Sequence, residues 1–457
     1  MAVSDARNPK KKSFRPSEVT AIRGPMLTFR TDPWMVSESE SVDYESDALV
    51  VMENGLIREV GPADRMLPQL EPGVEVTRWK DHLILPGFID CHTHFPQTDM
   101  IAARGNDLLD WLNRYTFVEE QGFSAPAHAR EVASFFLDEQ LRHGVTTSSV
   151  FCTTAPESVE ALLTEAHRRH LRIMAGKVCM DRNAPEALLD SPGRAFAETC
   201  KLLHRWKGQG RVEVVITPRF APTSSEYQLA ALGAFAKEFP DSPIQSHISE
   251  QKAEISWVKR LFPKDADYTA VYARHGLLKK RSIFGHGIHL SESELRRFSE
   301  SGASIAHCPT SNFFLGSGCL KVSRLKKSTR PVKVGLATDV GAGTGFSMLQ
   351  TMNEAYKAAK MKGTSPTAFQ LLYLATRGSA EALGLENRIG AIAPGMEADL
   401  VVLDPRATPL AARRMKHAES LHDQLFALLT LGDDRHIAAT YIAGIRWNMG
   451  AARPSGA

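Results

Sequence analysis

No stretch of this 457-residue sequence keeps its apolar residues uninterrupted for the length a membrane helix requires, and the N-terminus has no apolar signal core. The expected address is therefore the cytoplasm, with no membrane partner. Six cysteines, Cys91, Cys152, Cys179, Cys200, Cys308 and Cys319, are scattered without a CxxC pair. That spacing speaks against a disulfide framework and fits reduced thiols. Charge of one sign is also missing. With 55 Lys and Arg against 52 Asp and Glu the net charge is +3, which offers no footprint for nucleic acid. One basic run, Lys10, Lys11, Lys12 and Arg15 between Pro9 and Pro16, reads as a disordered leader over residues 1–18.

What is present is the composition of a soluble globular protein, 43% hydrophobic and 23% charged, with room for a barrel-sized core and a second module. Residues 19–82 read as β-strands, and Asn54-Gly55 between two apolar runs is a hairpin signal. Residues 391–457 repeat that pattern in DLVVLDP and TYIAGIRW. A sheet from either end alone would be short, so the expectation is one small β module built from both termini.

Between them, over residues 83–390, short β-branched runs alternate with stretches of helical apolar spacing. The runs cover 83–90, 145–152, 172–178, 212–218, 243–247, 282–286, 303–307 and 332–338, eight in all. No GxGxxG follows any of them. The pattern predicts an α/β protein, a (β/α)8 TIM-like barrel rather than an open doubly wound sheet.

Barrel enzymes place their chemistry at the C-terminal ends of the strands. Here the first run ends in His92 and His94, whose i, i+2 spacing puts both imidazoles on one strand face. Two such histidines alone are as readily packed or solvated as ligating. The fourth run ends in Arg219 and Phe220, the fifth in His247 with Glu250 following, the sixth in His286 and the eighth in Asp339. Each has an ordinary reading: a core histidine, a surface ion pair, or an N-cap for the helix after Gly345. Jointly they predict a metal site, because the coordinating groups gather at matching strand ends. Imidazoles with one carboxylate suit zinc first and Fe2+ second, and such an ion brings the pKa of a bound water to roughly 7. Glu250 is placed to carry protons without ligating, and it can also serve as a first-turn acid for the helix behind it. Lys177 fits a structural role, and His307-Cys308 fits a turn at the end of the seventh strand.

The stretches PGFIDCHTH, SHISE, GHG, HCPTSN and ATDVG resemble the metal-dependent amidohydrolase superfamily over nearly the whole chain. LLDWLNRYTFVEE, GKVCMDRN, ITPRF and LGDDRHI are similar to the guanine deaminase family within it. The resemblance implies a barrel with a β-sandwich made from both termini, and one zinc per chain held by His92, His94, His247 and Asp339. It places His286 beside the water, and Glu250, His286 and Asp339 in proton transfer. Gln97 and Arg219 would hold the purine, with Phe220 lining the pocket and His247 and Glu250 also facing it. The implied reaction is hydrolytic deamination of guanine, by a homodimer with no nucleic-acid partner. A related enzyme acting on a triazine, a pterin or an adenosine-like substrate, and a non-catalytic barrel used for binding or assembly, are the competing readings. The fourth strand ends in Pro218-Arg219 and lacks the lysine that bridges two metals elsewhere in the superfamily.

Overall fold

The computed structural model describes residues 19–327 and 329–447; the leader expected over 1–18 lies outside the described residues. Parallel pairing carries the chain around eight strand positions. Phe88–His94, Val145–Phe151, Arg172–Gly176 and Glu213–Val214 form one run of neighbours. Ile244–Ile248, Ser282–His286, Ser304–His307 and Lys333–Leu336 form the other. Two seams join them. Gln245 N–H donates to Ile216 O at 3.0 Å, and on the opposite side Asp339 N–H donates to His92 O at 2.9 Å and His94 N–H to Val340 O at 2.7 Å. The eight positions therefore close into a barrel, and the second seam lies among the predicted ligands.

Helices occupy the expected intervals, and local chemistry sets where they start. Pro126–Arg142 and Pro156–Arg168 begin on prolines, whose missing N–H is tolerated in a first turn. Ser225 and Ser291 cap Glu226–Glu238 and Glu292–Ser301 by accepting the N–H of Gln228 and Glu294. The helix after Gly345, Met348–Met361, is capped by Ser347, so Asp339 is not its N-cap. The helix behind Glu250 begins at Lys252, and Glu254 supplies its acidic cap by accepting the N–H of Glu250 at 2.8 Å. Glu250 is thus left outside the helix.

Strands from both chain ends form one eight-stranded sheet, running from Ile445–Trp447 through Leu400–Leu403 and Leu83–Pro86 to Thr20–Phe29 and Leu56–Pro62. Asn54 and Gly55, with φ of 54° and 81°, make the hairpin turn. Ile57 and Tyr441, from opposite ends of the strand order, share a core with Val50, Ile84 and Val402, so the sheet curls over itself. Alternate residues Leu83, Leu85, Val401 and Leu403 turn to the barrel core instead.

The run 83–90, read as one barrel strand, divides in two. Leu83–Pro86 joins the terminal sheet, pairing with Leu400–Leu403, and Phe88–His94 enters the barrel. Gly87 makes the passage possible: a Cβ there would lie 2.3 Å from Thr146 Oγ1. Arg172 and Arg211 bind Glu397, and Arg211 also binds Asp399, locking barrel strands to the terminal sheet.

Candidate active site

The pleat of Phe88–His94 aims His92 and His94 the same way, and the strand is fixed from beneath. Asp90 accepts the N–H of Thr338 at 3.0 Å and of His92 at 3.3 Å, binding the first strand position to the eighth. Burial pushes the Asp90 carboxyl up to about 7 against those hydrogen bonds. Sequence reasoning passed over Asp90 because its work is done behind the site.

Three imidazole nitrogens converge. His92 Nε2 lies 3.1 Å from His247 Nε2, His94 Nε2 lies 3.3 Å from His92 Nε2, and His247 Nε2 lies 3.2 Å from His94 Nε2. Asp339 Oδ1 stands 3.4 and 3.3 Å from the Nε2 atoms of His92 and His94. Four donors at about 2.0–2.1 Å around a tetrahedral ion sit about 3.3 Å apart, so this spacing fits a zinc-class cation. The Nδ1 of His247 is bound to Arg219 O at 2.7 Å, leaving its Nε2 lone pair toward the common point. The Nδ1 atoms of His92 and His94 are buried without partners, and both rings pack on Phe151, at centroid distances of 4.7 and 4.6 Å. Burial keeps His92, His94 and His247 neutral, with His94 down to about 3. Burial opposes the charge of Asp339, but His92 and His94 outweigh it and hold its carboxyl well below the ordinary range.

His286 and Glu250 flank this cluster. His286 Nδ1 is bound to Asn312 Oδ1 at 2.9 Å, and its Nε2 faces Glu250 Oε2 at 3.4 Å and Asp339 Oδ2 at 3.7 Å. Burial works against the imidazolium, but the two carboxylates prevail and raise its pKa. Burial likewise raises Glu250, whose Oε1 accepts a hydrogen bond from Ser317 Oγ at 2.7 Å. Ser317 and Asn312, which hold these two groups, lie in or just after HCPTSN, a stretch whose roles the sequence pattern left open.

A partly open cavity lies beside the cluster. Gln97, Arg219, Phe220, His94, His247, Glu250, His286 and Asp339 line it, together with Trp111, Leu108 and Leu112 from the LLDWLNRYTFVEE stretch. Every sequence-predicted site residue except His92 reaches this cavity, and His92 sits directly behind it. Lys177 does not: it is buried against Asp190 and Glu198. Cys308 lies within reach of His92, His286 and Asp339. Burial keeps its thiol protonated, and it donates to Ala306 O at 3.4 Å, which suits packing better than ligation.

A closed parallel barrel with a metal-type donor cluster and a small-molecule cavity at its strand ends is the architecture of a barrel hydrolase. The chain belongs to the amidohydrolase family, whose profile matches residues 83–446. It is 44% identical over 407 residues to the guanine deaminase of Escherichia coli (strain K12), covering 89% of this chain and 92% of that protein. The solved structure of E. coli guanine deaminase superposes with a TM-score of 0.91 at 42% identity, over 94% of this chain and 99% of the other. Guanine deaminase from C. acetobutylicum, solved with guanine in its active site, gives a TM-score of 0.84 at 27% identity, over 94% and 100%. Among the described residues no helix is long and apolar enough to cross a membrane.

Proposed function

We infer that this chain is a guanine deaminase, hydrolysing guanine to xanthine with release of ammonia. The observation that carries the reading is that Gln97 and Arg219, an amide and a guanidinium fork able to orient a planar heterocycle, line the same cavity as Glu250, His286 and Asp339. The protein's similarity to guanine deaminases along most of its length supports it.

We assign His92, His94, His247 and Asp339 as ligands of one zinc, Fe2+ being second. When bound, the ion supplies Lewis acidity that makes water acidic near neutral pH. Gln97 and Arg219 would hold the purine, with Phe220 against it. Glu250, entering protonated, would give its proton to N3 as water adds at C2. Asp339 Oδ2, beside His286, would take the proton the water gives up. That proton leaves with the amine as ammonia, and the new hydroxyl returns its proton to Glu250, so atoms balance. The two carboxylates have separate tasks because their surroundings push their pKa values apart.

We further propose a catalytic barrel over 87–390 flanked by a module of 19–86 and 391–447, a homodimer and a cytoplasmic address. Light scattering on the purified protein tests the dimer. For the activity, guanine is incubated with the protein, and loss of its ultraviolet absorbance is followed alongside ammonia. Turnover of a triazine or adenosine without guanine would remove the assignment.

A further inference from the structure

Behind the cavity wall a single carboxylate ties the two purine-orienting residues together. Arg219 Nη1 donates to both oxygens of Glu120, at 2.9 and 2.7 Å, and Gln97 Nε2 donates to Oε1 at 3.1 Å. The other end of the amide is fixed as well, since Gln97 Oε1 accepts the N–H of Gly341 at 3.2 Å. Glu120 is 1% exposed and does not line the cavity. It acts only through its two neighbours.

Two consequences follow from elementary chemistry. A flipped Gln97 would turn its oxygen on the Glu120 carboxylate and its NH2 on the Gly341 N–H, two repulsive contacts, so the amide has one orientation. The carboxylate also cancels the guanidinium charge. Without it, Arg219 would be a buried cation with no counter-charge and would attract an anion.

We propose that Glu120 is a positioning residue that makes this pocket prefer the neutral aminopurine over the more acidic dioxopurine product, and so favours product release. The proposal rests on the guanine deaminase reading. Guanine is neutral near pH 7, whereas its product carries a second carbonyl and a more acidic ring N–H, and its anion is populated in mildly alkaline solution. An anion facing Arg219 with Glu120 behind it meets little net charge.

The test compares the metal-loaded wild type with Glu120→Gln and Glu120→Asp in mildly alkaline buffer. KM and kcat for guanine and the inhibition constant of xanthine are measured. Glu120→Gln should raise KM about tenfold and tighten xanthine inhibition about tenfold, kcat moving less, because the freed guanidinium gains for anions what it loses in orientation. Glu120→Asp keeps the charge and should return the ratio of the two constants to within about threefold of wild type. A simple packing role would move both constants in the same direction, and that result, or an unmoved ratio, overturns the proposal. If Glu120→Gln does not fold, the wild type decides: neutral hypoxanthine should inhibit about tenfold more tightly than anionic urate, and the reverse order overturns the proposal. A wild type that ignores guanine overturns the functional reading and this proposal with it; an active one with an unmoved ratio overturns this proposal alone.

Discussion

Replacing Glu250 with glutamine removes one transferable proton and little else. Ser317 Oγ donates to Glu250 Oε1 at 2.7 Å, Glu254 holds the Glu250 N–H at 2.8 Å, and Oε2 faces His286 Nε2 at 3.4 Å. A glutamine carbonyl can keep the Ser317 bond, and none of the four proposed ligands is touched. Fold and bound metal should therefore survive while proton transfer is lost. Positioned acid–base groups contribute about 10²–10⁴ in rate, or about 3–5 kcal/mol of barrier. Ser317→Ala removes the anchor, a hydrogen bond to the neutral acid worth about 0.5–1.5 kcal/mol, together with the acceptor of Gln251 Nε2 at 3.2 Å, and should lower kcat about 2- to 10-fold. Because Ser317 acts through Glu250, the double variant should be about as slow as Glu250→Gln alone. Guanine loss and ammonia release are measured together with metal content and melting temperature. Near-full activity in Glu250→Gln, or additive losses in the double variant, would refute the proton-carrier role.

Other outcomes follow from distances and charges elsewhere. Gly285 lies under the proposed metal ligands, and a Cβ there would stand 2.7 Å from His92 Cε1, so Gly285→Ala should lower metal content while circular dichroism stays unchanged. Chelator treatment should abolish turnover and lower the melting temperature, with zinc restoring both and magnesium neither, since nitrogen-rich donor sets favour zinc. Arg211→Met leaves Glu397 and Asp399 without a shared partner and should cost about 3–5 kcal/mol in chemical denaturation, with kcat unchanged. Burial opposes ionisation of Glu397, but Arg172 and Arg211 outweigh it and lower its pKa in the folded protein. That stabilisation is full above the ordinary glutamate value of about 4.3 and is lost as pH falls through the lowered one, so the variant should show a flatter acid limb.

The barrel and the strand ends that bring the donor groups together were legible because they depend on local repetition. Eight apolar runs, five of them leading into ionisable or coordinating groups at the same end, encode both the sheet and the end of it that carries chemistry. Partners at a distance were not legible. Glu120 sits in a helical stretch where an acid is unremarkable, and only the fold brings it to Arg219, 99 residues away. Asn312 and Ser317 were hidden for the same reason, since each holds a group from another strand end. The run 83–90 was misread because a Pro-Gly step between two buried strands looks continuous in hydrophobicity, and the change of sheet is set by pairing with Leu400–Leu403.

Local rules fail most clearly at three residues beside the cluster. Ser249, His286 and Asp339 have φ of 49°, 72° and 52°, left-handed conformations that cost a non-glycine residue about 1–3 kcal/mol each. None is glycine, though Asp and His are among the types enriched in such conformations and Ser is not. Each is held by bonds between strand ends: Asp339 N–H to His92 O at 2.9 Å, Gly287 N–H to Ile248 O at 2.9 Å, and His289 N–H to Ser249 O at 3.2 Å. A strand continuing in extended conformation would carry the next side chain along the barrel wall. The left-handed turn at His286 and Asp339 instead leaves both beside the converging imidazoles, with Asp339 Oδ2 and Glu250 Oε2 each within 3.7 Å of His286 Nε2. The strain and the proposed proton path thus meet at His286 and Asp339; the seam between the first and eighth strand positions holds Asp339, and bonds between the fifth and sixth strand ends hold His286.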